Sequence, residues 1–258
     1  MELHGANPYT FRTIDTMSES VFKFHDTLTS RAEITDLSAN FANDVLAVIG
    51  LGGTGAYVLD FLVKTPVKEI RAFDFDFFHV HNAFRSPGKL DENELGKPKA
   101  VVYGERYDSF RKGLKVERKF VNSASGAELD GVTFAFVCVD KGSSRSEIFD
   151  ILISKGIPFI DVGIGLDRKR GPVSGMVRTT YYSQENAQAV RDKRLAEMTG
   201  QPDDIYRTNI QISEINALNA CLAVIRYKQI RGFYFEESSY YQLLMMIGDL
   251  KAFGESEL

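Results

Sequence analysis

The chain has 258 residues, yet it contains no tryptophan and only two cysteines. Cys138 and Cys221 alone suit a reducing compartment, not a scaffold built on disulfides. No run of eighteen apolar residues occurs, so a membrane-spanning helix is not expected, and no signal-peptide pattern opens the chain. A cytoplasmic protein with no membrane partner is expected. An excess of positive charge is also missing: 31 Lys and Arg stand against 35 Asp and Glu, a net charge of −4. That balance argues against a nucleic-acid surface and leaves room for a protein partner. There are no internal repeats and no low-complexity linkers. The apolar share of 44% suits a globular core, and the length allows one large α/β domain or two small ones.

The most informative segment is Val45-Leu-Ala-Val-Ile-Gly-Leu-Gly-Gly-Thr-Gly55. An apolar strand runs into Gly50-x-Gly52-x-x-Gly55, with Gly53 between, and a helical stretch follows. Gly50 suits a tight turn, Gly52 a close approach of backbone to phosphate, and Gly55 close packing of helix on strand. The motif points to a nucleotide held by backbone amides at a helix N-terminus. A glycine-rich turn without a ligand is the bland alternative. Nineteen residues after Gly55, a second strand ends in Asp74, the spacing at which such a unit sets an acid against a ribose hydroxyl.

Up to that point NAD and ATP read alike. The next segment is a turn-rich loop, Asp74-Phe-Asp76-Phe-Phe-His-Val-His-Asn82-Ala-Phe-Arg85, followed by Leu95-Gly-Lys97-Pro-Lys99. It brings two or three cations to the carboxyl edge of the sheet. A pyrophosphate already held by a glycine turn does not need them, whereas a triphosphate about to lose pyrophosphate does. The apolar run Val132 to Val139 reads as a strand buried on both faces and ends in Asp140. An acid there, beside a triphosphate, suits Mg²⁺, although Asp140 could also cap the following helix. His79 and His81 either tune the loop or are plain surface residues.

Together, Gly50-Leu-Gly-Gly-Thr-Gly55, Asp74-Phe-Asp76, Asn82-x-x-Arg85, Gly96-Lys-Pro-Lys99 and Cys138-Val-Asp140 resemble the ThiF-type adenylation domains, which include the activating enzymes of ubiquitin and of ubiquitin-like sulfur carriers. The resemblance covers roughly residues 28 to 235 and is nearest to bacterial ThiF proteins encoded with ubiquitin-like proteins. It implies an ATP-dependent adenylyltransferase that activates the C-terminal Gly of a small ubiquitin-like (β-grasp) protein. It also implies a homodimer, and a conjugating-enzyme-like protein as a further partner. In the roles it implies, Asp74 holds the ribose, while Asp76, Asn82 and Arg85 border the phosphates. Lys99 neutralises the β- and γ-phosphates, and Asp140 binds Mg²⁺. Arg31 is the candidate to reach a partner subunit's site, against the reading of a solvated surface Arg. Many relatives carry paired Cys-x-x-Cys motifs for zinc, which two cysteines cannot supply, and neither cysteine stands in a recognisable thioester position. An NAD-dependent oxidoreductase and a non-catalytic binding module are the rival readings.

The pattern of elements is strand 45–49, helix 53–64, strand 67–74, helix 97–111, strands 115–121 and 133–139, helix 143–155 and strand 158–162. This alternation predicts a Rossmann-like α/β fold: a mainly parallel sheet with helices on both faces, extended by antiparallel strand and a C-terminal helix. Residues 173–182 read as that antiparallel strand, and 185–198 as a charged helix stopped at Gly200-Gln-Pro202. The cluster Arg168-Lys-Arg170 reads as a solvated turn, with a phosphate or acidic-partner contact as the alternative. In residues 209–227, Ile212, Ile215, Leu218, Leu222 and Ile225 recur at helical spacing and predict a core or dimer-facing stripe. Asn209, Gln211, Asn216 and Asn219 fall mostly off it; they are either solvated or, as the family resemblance implies, on a helix behind the groove for the substrate's tail. Three segments are expected: an N-terminal arm or remnant of an upstream domain (1–27), the adenylation domain (28–240), and a C-terminal tail (241–258) whose end, Phe253 to Leu258, frays.

Overall fold

The computed structural model describes residues 20–168, 171–196, 198 and 210–256. The predicted Gly200–Pro202 stop, Asn209, residues 169–170 and most of the N-terminal arm lie outside them. The rest of the arm is tied down at Phe22, which bridges to Arg111 and packs edge-on against Phe110.

Apolar, β-branched runs too short for a helix between turns dictate the centre of the molecule. Among the described residues they form one eight-stranded sheet. Strands β1 (Val45–Ile49), β2 (Glu69–Phe73), β3 (Leu114–Glu117), β4 (Phe134–Val137) and β5 (Phe159–Asp167) run parallel in the order β3-β2-β1-β4-β5. Three antiparallel strands extend the sheet beyond β5: β6 (Ser174–Tyr182), β7 (Gln242–Met246) and β8 (Lys251–Glu255). β1 and β4, at the middle, are buried at every position, as their unbroken apolar runs predict.

Helices cover both faces because crossovers between parallel strands must pass over the sheet. On one face α3 (Gly53–Val63), α5 (Lys99–Asp108) and α8 (Ser213–Ile230) close a core with Leu46, Val48, Phe134 and Phe136. On the other, α6 (Gly142–Ser154) and α7 (Ala187–Asp192) cover Ala47, Ile49, Ala135 and Phe159. Short helices α1 (Thr27–Arg31) and α2 (Thr35–Ala39) precede β1, and α4 (Val80–Ala83) forms inside the turn-rich loop after β2.

The structure corrects several expectations. Phe253 to Glu255, expected to fray, lie in β8, which pairs with β7 from Gln242–Glu255 to Met246–Lys251, so two strands follow the last helix. β5 is longer than predicted because it pairs with β6 over its whole length, from Phe159–Tyr182 to Asp167–Ser174. The expected 185–198 helix is only the six residues of α7. In α8 the predicted stripe is not the core face. Ala220, Ala223 and Tyr227 point inward with Asn216 and Asn219, while Ile225 is 42% exposed.

Candidate active site

The glycine turn follows directly from β1. Gly50 adopts φ +92°, a left-handed conformation that side chains resist, and a Cβ there would lie 2.7 Å from the Cys138 carbonyl oxygen. A Cβ on Gly55 would collide with the Gly50 carbonyl oxygen, and one on Gly53 with the Asn216 carboxamide. Gly52, the residue capping α3, differs: a Cβ there would meet nothing within 4 Å, so the turn is open on that side.

That open side faces a cavity of about 560 Å³ at the carboxyl ends of the parallel strands, where open α/β sheets bind ligands. Gly50, Gly52 and Asp74 line it. So do Asp76, Asn82 and Arg85 from the loop after β2, Lys99 from the first turn of α5, and Asp140 after β4. Arg31 lies at the exposed end of α1, away from this lining.

Asp74 is 8% exposed and locks the floor. One carboxylate oxygen accepts the Leu51 N–H at 2.7 Å and the other the Asp76 N–H at 2.8 Å. Burial pushes its pKa up, and Lys99 and these N–H groups oppose that rise. Oδ2, which takes only the Leu51 N–H, keeps a lone pair for a sugar hydroxyl. Lys99 is 5% exposed; its ammonium lies 3.1 Å from Asp76 and 3.5 Å from Asp74. Arg85 differs: its Nε is buried with no hydrogen-bond partner among the described residues. Asn82 is buried; its carboxamide oxygen accepts the His79 N–H at 2.8 Å and its own N–H donates to the His79 carbonyl oxygen at 2.9 Å, which fixes α4. Asp140 is exposed and does not cap α6, whose capping residue is Lys141. Gln211 Nε2 donates to Asp140 at 3.5 Å.

A second cavity of about 370 Å³ opens beside the first and shares Gly52, Cys138, Val139 and Asp140 with it. Gly163 and Gly165 of β5 form one wall, and Asn216 and Asn219 of α8 another. The two asparagines are not solvated. Asn216 accepts from Thr54 at 2.9 Å, and Asn219 donates to the Gly163 carbonyl at 3.1 Å. Sequence reasoning missed an ion cluster whose Arg145 and Arg178 also line this cavity. Asp161, fully buried, accepts from Arg145 Nε at 3.0 Å and from Arg178 at 2.6 Å. The signal was an acid inside the apolar strand Phe159-Ile-Asp161-Val, which must find partners to stay charged.

Cys138 lies between the cavities but is buried, and burial first, then Asp161 and Asp140, pushes its thiol pKa up. Cys221 is half-buried and shifted the same way by burial. Arg168 is held by the Gly171 carbonyl at an exposed turn. Among the described residues no helix is long and apolar enough to cross a membrane.

The family model of the ThiF family matches residues 34–229. No curated protein matches the chain. Among solved structures the chain is similar to PaaA, at 16% identity and a TM-score of 0.65, covering 89% of this chain and 69% of that one. It is similar to E. coli MccB with ATP, at 16% identity and a TM-score of 0.63, covering 90% and 72%. TcdA (CsdL) matches at 16% identity and a TM-score of 0.57, covering 79% and 92%. At these identities the likeness is one of fold.

Proposed function

The chain belongs to the ThiF family, and we propose that it is an ATP- and Mg²⁺-dependent adenylyltransferase whose substrate is the C-terminal carboxylate of a small ubiquitin-like protein ending in Gly. One observation carries this reading: the cavity at the glycine turn also holds Lys99 and Arg85, the latter with a buried Nε that has no partner among the described residues. A buried donor without an acceptor costs free energy, and a phosphate oxygen supplies the acceptor it lacks. E. coli MccB, which shares the fold, has been solved with ATP and with MccA, and this supports the reading.

On this account ATP lies along the glycine turn with its ribose at Asp74 and its phosphates bordered by Asp76, Asn82 and Arg85. The acceptor carboxylate enters through the second cavity, whose glycine wall leaves room for a narrow tail. Its oxygen attacks the α-phosphorus. The new bond joins carboxyl oxygen to phosphorus, the bond to the bridging oxygen breaks, and pyrophosphate leaves with the electron pair. No proton has to move, because the carboxylate is ionised at neutral pH. Arg85 and Lys99 neutralise charge building on the leaving group. Asp140 suits Mg²⁺, since that ion takes one or two carboxylates and completes its shell with phosphate oxygens and water. When bound, it adds charge neutralisation at the phosphates.

The protein on this reading is a cytoplasmic two-fold homodimer, with Arg31 the candidate to reach the partner's site. The adenylate then passes to an external nucleophile or to a cysteine of a conjugating-enzyme-like protein. Calorimetric titration of the full chain with ATP–Mg²⁺ and with NAD tests the nucleotide assignment. Saturable ATP binding without NAD binding is expected, and the reverse overturns it.

A further inference from the structure

The loop after β2 carries two histidines that the account above leaves without a role. His79 and His81 both line the nucleotide cavity, with their rings stacked 5.7 Å apart at an interplanar angle of 29°. They are not equivalent. His79 is the residue capping α4, with its N–H on the Asn82 carboxamide oxygen and its carbonyl oxygen on the Asn82 N–H. His81 stands two residues further, inside α4, exposed at the cavity and free of that duty. The groups that act on it come from three places: Arg85 just past α4, His79 at its start, and Lys99 at the start of α5. Lys99 is partly offset by Asp74 and Asp76, whereas Arg85 keeps an Nε with no partner among the described residues.

We infer that His81 is a third phosphate-binding residue of this site, neutral in the free protein and cationic once a triphosphate occupies the cavity. The inference rests on the ATP reading above. In the free protein, partial desolvation at the cavity and then the neighbouring Arg85, His79 and Lys99 hold the His81 pKa below its ordinary value. A bound triphosphate reverses the sign of the local field and favours the imidazolium, which then donates to a phosphate oxygen. Proton and nucleotide therefore bind cooperatively. ATP affinity rises as pH falls through the bound-state pKa, and stops rising below the free-state one. A difference of one pKa unit between the two states is about a tenfold difference in Kd.

The test is an imidazole NMR titration of the full chain with and without ATP–Mg²⁺, with His81→Gln identifying the resonance. The Gly52 amide reports occupancy independently. The expected result is a His81 midpoint below the ordinary histidine value in the free protein and about one unit or more higher with ATP. In parallel, wild-type ATP affinity should strengthen about tenfold from pH 8 to the plateau below the free-state midpoint. His81→Gln should lose that dependence, and His81→Lys should bind tightly with no such dependence. A His81 midpoint that stays put while the Gly52 amide saturates overturns this inference and leaves the ATP reading standing. If millimolar ATP moves neither signal, both fall.

Discussion

The ammonium of Lys99 lies 3.1 Å from the carboxylate of Asp76, and Lys99 is itself 5% exposed. The lysine is thus held at the cavity by two acids, Asp76 and the buried Asp74, before any nucleotide arrives. It serves as a preorganised cation, and its loss has two separable effects. Lys99→Ala should weaken ATP binding roughly ten- to hundred-fold, the equivalent of about 1.5–3 kcal/mol for a charge-assisted contact. It should also cost about 3 kcal/mol of stability, because the buried Asp74 loses its cation. Calorimetry and urea unfolding measure the two. Unchanged ATP affinity in a folded variant would contradict the role assigned to Lys99.

The glycines of the turn divide into structural and functional ones. Gly55→Ala drives a methyl into the Gly50 carbonyl, a backbone atom that cannot step aside, and should destabilise the protein by about 3 kcal/mol. Gly52→Ala meets nothing within 4 Å and should leave the unfolding midpoint near wild type. The same methyl stands where a phosphate must approach, so ATP affinity should drop more than about tenfold, above 1.4 kcal/mol. Thermal melts with and without ATP distinguish the two variants: only Gly52→Ala should keep a wild-type melt and lose the ATP-induced rise.

Neither cysteine is set up as a nucleophile. Cys138 is buried with its thiol pKa pushed up, and Cys221 lies half-buried on α8 with the same direction of shift. The protein should therefore form an adenylate without a thioester of its own, since the thiolate is the reactive form. Mass spectrometry after alkylation at neutral pH should leave Cys138 unmodified in the folded chain. A thiol-sensitive adduct with the acceptor that disappears in Cys138→Ser or Cys221→Ser would contradict this.

The outward side of α8 supplies surface for self-association. Ile215, Leu218 and Leu222 are half-buried, and Ile225 is exposed, on a helix whose inward side is already satisfied. Light scattering at tens of micromolar should give a dimer mass, and Leu222→Asp should shift it toward the monomer. A wild-type monomer would remove the dimer from the account.

Much of this architecture was legible in the sequence. The run Val45 to Ile49 and the glycines after it fix strand, turn and helix through burial and sterics that local residues alone determine. α8 was harder because it is apolar on most sides, so periodicity could not say which side faces the sheet. The choice falls to Asn216 and Asn219, whose amides find Thr54, the Ile212 carbonyl and the Gly163 carbonyl inside. β7 and β8 left no alternation to read: β7 is Gln-Leu-Leu-Met-Met, and β8 is exposed at every position. β7 depends on pairing with β6, a contact distant in sequence, and β8 in turn on β7. The shared Asp161 was hidden similarly, because its partners Arg145 and Arg178 come from separate elements.

ATP–pyrophosphate exchange is the measurement closest to the central claim. The full chain is incubated with ATP, Mg²⁺, labelled pyrophosphate and a small β-grasp protein ending in Gly. The account predicts label entering ATP only when that acceptor is present, and none when Lys99→Ala replaces the wild type. Exchange that is absent with a bound acceptor, or undiminished in Lys99→Ala, would contradict it.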